Sequence, residues 1–390
     1  VRTGLVLGGG GARGAYEAGV LRYVARAFPR ARFDVVTGTS AGAINAAWVA
    51  AHAGVPGHAA LDLAEIWAAL RLEDVYRLTS GTLLRPLRSV FGSNAPVALA
   101  DAAPLAELLD RVVPWSRLER AIDGGDLAAL AITATELATS RNVVWVAGRP
   151  SDLRFWESTN PHIRPRPARI GPAHVLASAA IPLVFPPVEV DGAWFVDGGL
   201  GQQTPLRPAL RLGVDRLLVI SLRSAATIDD VCRIGDERAG EPPSWAQVVG
   251  KTMTSVLLDK SAHEVRRLER VNRVIEWGAE QFGGGFEQAY GELLARERGA
   301  SLRPVRATII SPRSDLGALA VQHLDEHGLA PTSALHRLVL RTIARAGSAA
   351  ENDLLSFLLF DPGFLARLVR LGEEDAESRH AELEAVFAAD

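Results

Sequence analysis

Asp34-Val35-Val36-Thr37-Gly38-Thr39-Ser40-Ala41-Gly42-Ala43 is the stretch that decides the fold. Asp34-Val35-Val36 reads as a short apolar strand, and the alanine-rich run Ala41 to Ala51 reads as a helix. Between them, Gly38-Thr39-Ser40-Ala41-Gly42 fits the pattern G-x-S-x-G, a sharp strand-to-helix turn that holds a serine hydroxyl exposed. Gly38 and Gly42 let the backbone bend there without Cβ clashes. An ordinary glycine-rich turn competes with this reading, because the chain carries 36 glycines in 390 residues. Placement between a strand and a helix favours the reactive serine.

About thirty residues upstream, Leu5-Val6-Leu7 feeds Gly8-Gly9-Gly10-Gly11-Ala12-Arg13-Gly14, and a helical pattern then carries Tyr16, Val20, Leu21 and Val24. Consecutive glycines between a strand and a helix present backbone N–H groups at the positive end of the helix dipole. Such a pocket suits a phosphate or the oxyanion of a tetrahedral intermediate. Gly9, Gly11 and Gly14 satisfy G-x-G-x-x-G, but a dinucleotide fold needs an acid at the end of the second strand, and here that strand ends in the Ser40 turn. A P-loop needs Gly-Lys-Ser/Thr, whereas this chain has Gly14-Ala15. The oxyanion reading is favoured.

A third segment, Ala193-Trp194-Phe195-Val196, delivers Asp197-Gly198-Gly199. A carboxylate at the end of a buried strand can take a serine proton directly if burial lifts its pKa. Asp-Gly is also a common turn dipeptide, so this motif alone favours a hairpin turn. Beside the other two segments it favours a base.

Together, Gly9-Gly10-Gly11-Ala12-Arg13-Gly14, Gly38-Thr39-Ser40-Ala41-Gly42 and Asp197-Gly198-Gly199 resemble the patatin-like phospholipase family in type and order. Ala177-Ser178-Ala179-Ala180-Ile181-Pro182, with Phe185-Pro186-Pro187, is similar to a further block of that family. The likeness runs from about Thr3 to Leu222. It implies Ser40 as nucleophile and Asp197 as its general base. It implies an oxyanion hole at Gly10 and Gly11, with the N–H of a neighbour such as Ala12 or Arg13, and motif glycines at Gly9, Gly14, Gly38, Gly42, Gly198 and Gly199. For the Arg13 side chain two roles stay open, attraction of an anionic head group or a solvated cap on the loop. The chain departs from the family at Gln203, where many members carry asparagine.

The resemblance implies an α/β fold: a mostly parallel central sheet flanked by helices in three layers, with a helical C-terminal extension. The expected units are a catalytic domain over 1–224 and a mostly helical extension over 225–390 packed on it. The implied activity is that of a serine acyl hydrolase of lipid esters, phospholipase A or lysophospholipase in type, acting through an acyl-serine. The alternative is a non-catalytic lipid-sensing or scaffolding module on the same fold.

A Ser-His-Asp triad is the mechanistic rival, with His323 downstream of Asp197. His323 and His327 lie in the polar stretch 322–328, which reads as an exposed helix end, so a surface role is favoured. Composition agrees with a large apolar core, at 48% hydrophobic and 22% charged residues. A formal charge of −3 gives no reason to expect a nucleic-acid partner. Cys232 is the single cysteine, so an intrachain disulfide and a cysteine-based metal site are excluded; no metal or other cofactor is expected. Abundant alanine, with arginine in place of lysine, suggests a bacterial source. The first residues lead straight into a strand, and no apolar run approaches the length of a membrane span. The expected location is cytoplasmic, with peripheral contact to a membrane left open.

Further along the chain, Leu130–Thr135 and Asn142–Val146 read as strands, Val188–Val190 and Trp194–Val196 as a hairpin, Arg216–Ser221 as a buried strand and Ala307–Ser311 as a return to the sheet. A long helix is expected from Trp245 to about Glu276, a surface excursion around Gly283-Gly284-Gly285, and helices from Thr332 onward. Leu83–Phe91 mixes apolar and basic residues; a loop packed over the core is favoured there over a mobile lid. The segment Asp353–Leu371 is expected to complete the core rather than dock on lipid.

Overall fold

Period-two alternation in the strands sets the architecture. In the computed structural model, which describes residues 1–78, 98–151, 162–201, 204–224, 261–298, 304–330, 332–345 and 349–387, alternate strand residues face two separate apolar layers. Leu5, Leu7, Val36, Leu130 and Ile132 join one layer, while Val6, Val35, Ala129 and Ala131 join the other. A sheet buried on both faces needs helices on both sides, and that makes three layers.

The sheet runs in the order β5-β4-β3-β2-β1-β8-β9. Its strands are β1 (Thr3–Leu7), β2 (Val35–Thr39), β3 (Ala129–Glu136), β4 (Asn142–Gly148), β5 (Ile163–Pro167), β8 (Arg216–Ile220) and β9 (Arg306–Ile310). β6 (Val188–Val190) and β7 (Ala193–Asp197) form a hairpin off this path, with β7 antiparallel to β3. The pairs β1–β2, β1–β8, β2–β3, β4–β5 and β8–β9 are parallel, so the sheet is mostly parallel, as expected.

One register positions the site. β3 is long enough to pair with β2 through Thr133 and with β7 from Ala134 onward. Thr39 lies opposite Thr133 and Asp197 opposite Ala134. The strand end that carries Ser40 and the strand end that carries Asp197 therefore meet over adjacent residues of β3.

Helix α1 (Gly14–Ala27) follows β1, α2 (Ala41–Ala51) follows β2, and α3 (Pro56–Ala69) packs against both. The chain beyond 304 is woven into the same body. β9 extends the sheet beside β8, and two later helices, α4 (Ala349–Leu358) and α5 (Pro362–Ser378), contribute Leu355, Leu358, Phe364, Leu365 and Leu368 to the first apolar layer. Tyr16 of α1 donates a hydrogen bond of 3.0 Å to Asp375 of α5. The segment Asp353–Leu371 thus completes the core.

The described part of the long helix covers Ser261–Phe282 and continues past Glu276; its expected start lies outside the described residues. Gly283 adopts φ +84° and turns the chain directly into the helix Gly285–Arg298, so the three exposed glycines form a helix-to-helix turn at the surface. Leu83–Phe91 and Gln203 also lie outside the described residues. Among the described residues, no helix is long and apolar enough to cross a membrane.

Candidate active site

Ser40 sits at φ +56°, ψ −124°, a conformation a side-chain-bearing residue adopts only when its surroundings force it. The forcing contacts are backbone to backbone. A Cβ on Gly38 would lie 2.3 Å from the Gly42 carbonyl oxygen, and one on Gly42 would lie 2.5 Å from that of Leu7. Only glycine fits either position, which is why the G-x-S-x-G spacing reads through to geometry here. The turn also places Ser40 at the N-terminus of α2, beside the positive end of its dipole.

The Ser40 hydroxyl donates a 2.6 Å hydrogen bond to Asp197 Oδ2. The other carboxylate oxygen accepts from the Gly199 N–H at 2.7 Å. Asp197 is held at its backbone too, its N–H donating to the Ala180 carbonyl at 2.9 Å and its carbonyl accepting from the Thr135 hydroxyl at 3.1 Å. The residue is 1% exposed. Burial in apolar surroundings pushes its carboxyl up to about 6, against the opposing pull of the Ser40 and Gly199 hydrogen bonds. A carboxylate in that range is a far better base than one near 3.8.

Ser178 carries no signal of its own in the sequence beyond lying in the Ala177–Pro182 block, yet it braces the turn. Its hydroxyl accepts from the Ser40 N–H at 2.9 Å and donates to the Thr133 carbonyl at 2.6 Å. Ser178→Ala leaves both groups without this partner in a buried site, where each lost bond costs about 1–3 kcal/mol. We expect kcat to fall roughly 10- to 100-fold with KM little changed, a 1 Å misplacement being enough for that loss. Steady-state kinetics on a soluble ester checks this.

The glycine loop is anchored from below. The Gly8 N–H donates to Glu17 at 2.8 Å, Asn45 donates to Glu17 at 2.8 Å and to the Gly14 carbonyl at 3.0 Å, and Trp67 donates to Asn45 at 2.7 Å. The Gly42 N–H donates to the Gly8 carbonyl at 3.1 Å and ties the loop to the serine turn. Gly11 and Ser40 line one cleft.

Arg13 departs from expectation in two ways. Its backbone N–H donates to the Gly10 carbonyl at 3.1 Å, closing a 3-10 turn, so that amide is already engaged and is not an oxyanion donor. Its side chain is neither a solvated cap nor a lure for head groups, being only 7% exposed. The guanidinium pairs with Asp353 at 2.5 Å, donates to Ser356 at 2.8 and 2.6 Å, and lies 4.5 Å from the centre of the Phe357 ring. The Phe357 carbonyl packs where a Gly11 Cβ would be, at 2.2 Å, and Gly11 itself takes φ +54°. Helix α4 therefore clamps the glycine loop from the far end of the chain.

His323 is also corrected. It is buried, not on an exposed helix end, and its Nε2 pairs with Asp361 at 2.9 Å. Asp361 caps α5 through the N–H groups of Gly363 and Phe364. The partner of His323 is thus a helix cap rather than Ser40 or Asp197. His327 is exposed, as expected.

Beside Ser40 opens a narrow cleft. Its walls are apolar: Ile44 and Trp48 of α2, Leu63 and Trp67 of α3, Leu105 and Leu109, Ile181 and Phe185, and Phe357 and Phe360. Such a lining suits a hydrocarbon chain. No cluster of His, Cys, Asp and Glu suited to a metal occurs among the described residues.

The family model described as Patatin-like phospholipase matches residues 5–210, more than half of the chain. The chain belongs to the patatin-like phospholipase family. Among curated proteins it is 29% identical over 269 residues to uncharacterized NTE family proteins of Mycobacterium bovis and Mycobacterium tuberculosis. That match covers 67% of this chain and 59% of each relative, so the chain spans about three fifths of the length of these relatives. Among solved structures, VipD from Legionella pneumophila aligns at TM-score 0.33 and 12% identity, over 94% of this chain and 91% of that one. The patatin-like match ends before β8 and β9, which continue the same sheet.

Proposed function

We propose that this patatin-like protein hydrolyses lipid esters with a Ser40–Asp197 dyad, as a phospholipase A or lysophospholipase. The observation that carries the proposal is the 2.6 Å hydrogen bond from a hydroxyl on a strained turn to a buried carboxylate, beside an apolar cleft. Asp197 takes the Ser40 proton as Oγ attacks the ester carbonyl. The C–O bond to the glycerol or lyso-lipid oxygen breaks, and Asp197 returns the proton to that leaving oxygen. Water then repeats the attack on the acyl-serine, giving a free fatty acid and restoring Ser40. Backbone N–H groups of Gly10, Gly11 and Ala12 hold the oxyanion, each such donor contributing about 10²–10³ in rate.

A peripheral approach to lipid fits the surface near the cleft. Leu99 and Leu183, joined backbone to backbone at 3.0 Å, are both exposed, and Leu183 lies between the cleft residues Ile181 and Phe185.

The test is release of fatty acid from vesicle phosphatidylcholine, lysophosphatidylcholine, triolein and an acyl-coenzyme A by the whole chain. The expected result is release from the phospholipid or lysolipid, falling by about 10⁴ or more in Ser40→Ala. Comparable release by Ser40→Ala contradicts the proposal.

A further inference from the structure

Residues 40, 44 and 48 recur at the four-residue spacing that puts side chains on one face of a helix. Ser40, Ile44 and Trp48 accordingly line the same cleft. Trp48 also lines a second, mostly apolar pocket, together with Leu21, Val24, Phe28, Phe33 and Ala53. Among the described residues, no other is shared by the two linings. The Trp48 side chain is a partition between two greasy spaces. It is 7% exposed and braced from the second side by His52, with ring centres 4.5 Å apart.

We propose that Trp48 is the floor of the acyl cleft and sets the longest acyl chain the protein processes efficiently, the cavity behind it being the room a longer chain would need. This rests on the reading of Ser40 as the nucleophile. Eight residues of helix rise about 12 Å. An extended chain of C–C bonds near 1.5 Å advances about 1.25 Å per carbon, so roughly ten carbons reach from Ser40 to the indole. Chains of about that length fit ahead of Trp48. Longer ones must bend back toward the mouth and lose apolar contact. Both sides of the partition being apolar, its removal joins two spaces of the same character without exposing a charge to the chain.

The experiment compares kcat/KM for p-nitrophenyl hexanoate, decanoate and palmitate in the native protein, Trp48→Ala and Trp48→Ala/Ala53→Phe. The palmitate-to-decanoate ratio is taken within each preparation, so a reduced folded fraction cancels. The proposal expects that ratio to rise about ten-fold or more in Trp48→Ala, a few buried methylenes being worth that much, and to fall back when Ala53→Phe refills the second cavity. If Trp48→Ala does not fold, Trp48→Leu opens part of the same passage and is read in the same way. An unchanged ratio, or a uniform fall across all three esters, overturns the partition role. Failure of the nucleophile reading is a separate result: native hydrolysis of the esters that persists in Ser40→Ala.

Discussion

Asp197→Asn is expected to remove ester hydrolysis almost completely, by about 10⁴-fold or more, and at the same time to raise the stability of the fold above pH 6. The first effect follows from taking away the group that, among the described residues, is hydrogen-bonded to the Ser40 hydroxyl and can accept its proton. The second follows from what burial does to the carboxylate. Its pKa moves from 3.8 to about 6, so the folded state binds a proton that the unfolded chain has already released. Between about pH 4 and 6, therefore, ionising Asp197 progressively destabilises the native state, and above that range the penalty is constant. A shift of about two units corresponds to roughly 3 kcal/mol. Asparagine carries no charge, and its amide oxygen can still accept from the Gly199 N–H while its NH₂ group donates to Ser40. Thermal unfolding should thus give a higher Tm for Asp197→Asn than for the native protein at pH 8, with the gap closing near pH 4. In the native protein, kcat/KM should fall about ten-fold per pH unit below 6 as the base is protonated. An asparagine variant that is both active and less stable at pH 8 would contradict this account of the carboxylate.

Arg13→Ala is expected to cost both stability and rate, because this side chain joins the glycine loop to α4. Its removal leaves Asp353 without its cation, Ser356 without two donors and the Phe357 ring without its stacked guanidinium. Breaking a fully buried pair costs about 3–5 kcal/mol, and the partial exposure of Asp353 brings the expectation to about 2–3. The loop it holds carries Gly10 and Gly11, so kcat should fall by about 10²–10³, the value of one oxyanion donor, with a much smaller change in KM. Arg13→Lys should recover little of either. A lysine has no planar fork to reach Asp353 and Ser356 together, and it stacks poorly on Phe357. Denaturant titration and steady-state kinetics on the same preparations separate the two losses. Unchanged kcat in a folded Arg13→Ala protein would show that the clamp does not position the loop.

The sheet and the two strand ends that bring Ser40 to Asp197 were legible because each depends on a local pattern. Gly38 and Gly42 mark a turn whose backbone contacts exclude a side chain at those two positions, and the burial of β1, β2 and β3 on both faces follows from their apolar runs. The order of the motifs was also informative, although the register that brings them together is a property of β3. What stayed hidden depends on partners far along the chain. Arg13 finds Asp353 and Ser356 about 340 residues away, and Glu17 meets Asn45 and the Gly8 amide through helix packing. His323 sits in a polar run and reads as exposed, but the run is on a helix packed mainly against α4, and Asp361 at the start of α5 satisfies the imidazole. Ser178 reads as one small residue among alanines until the Ser40 amide is seen to point at it. A hydroxyl or guanidinium that bonds across such separations leaves no periodicity for a sequence to display.

Labelling with a fluorophosphonate, followed by peptide mass analysis, tests most directly whether Ser40 is a nucleophile driven by Asp197. The dyad predicts a single phosphonyl adduct on Ser40, formed at a rate that climbs through about pH 6 and drops by orders of magnitude in Asp197→Asn. An adduct on another residue, or labelling of Ser40 at the native rate without the carboxylate, contradicts it.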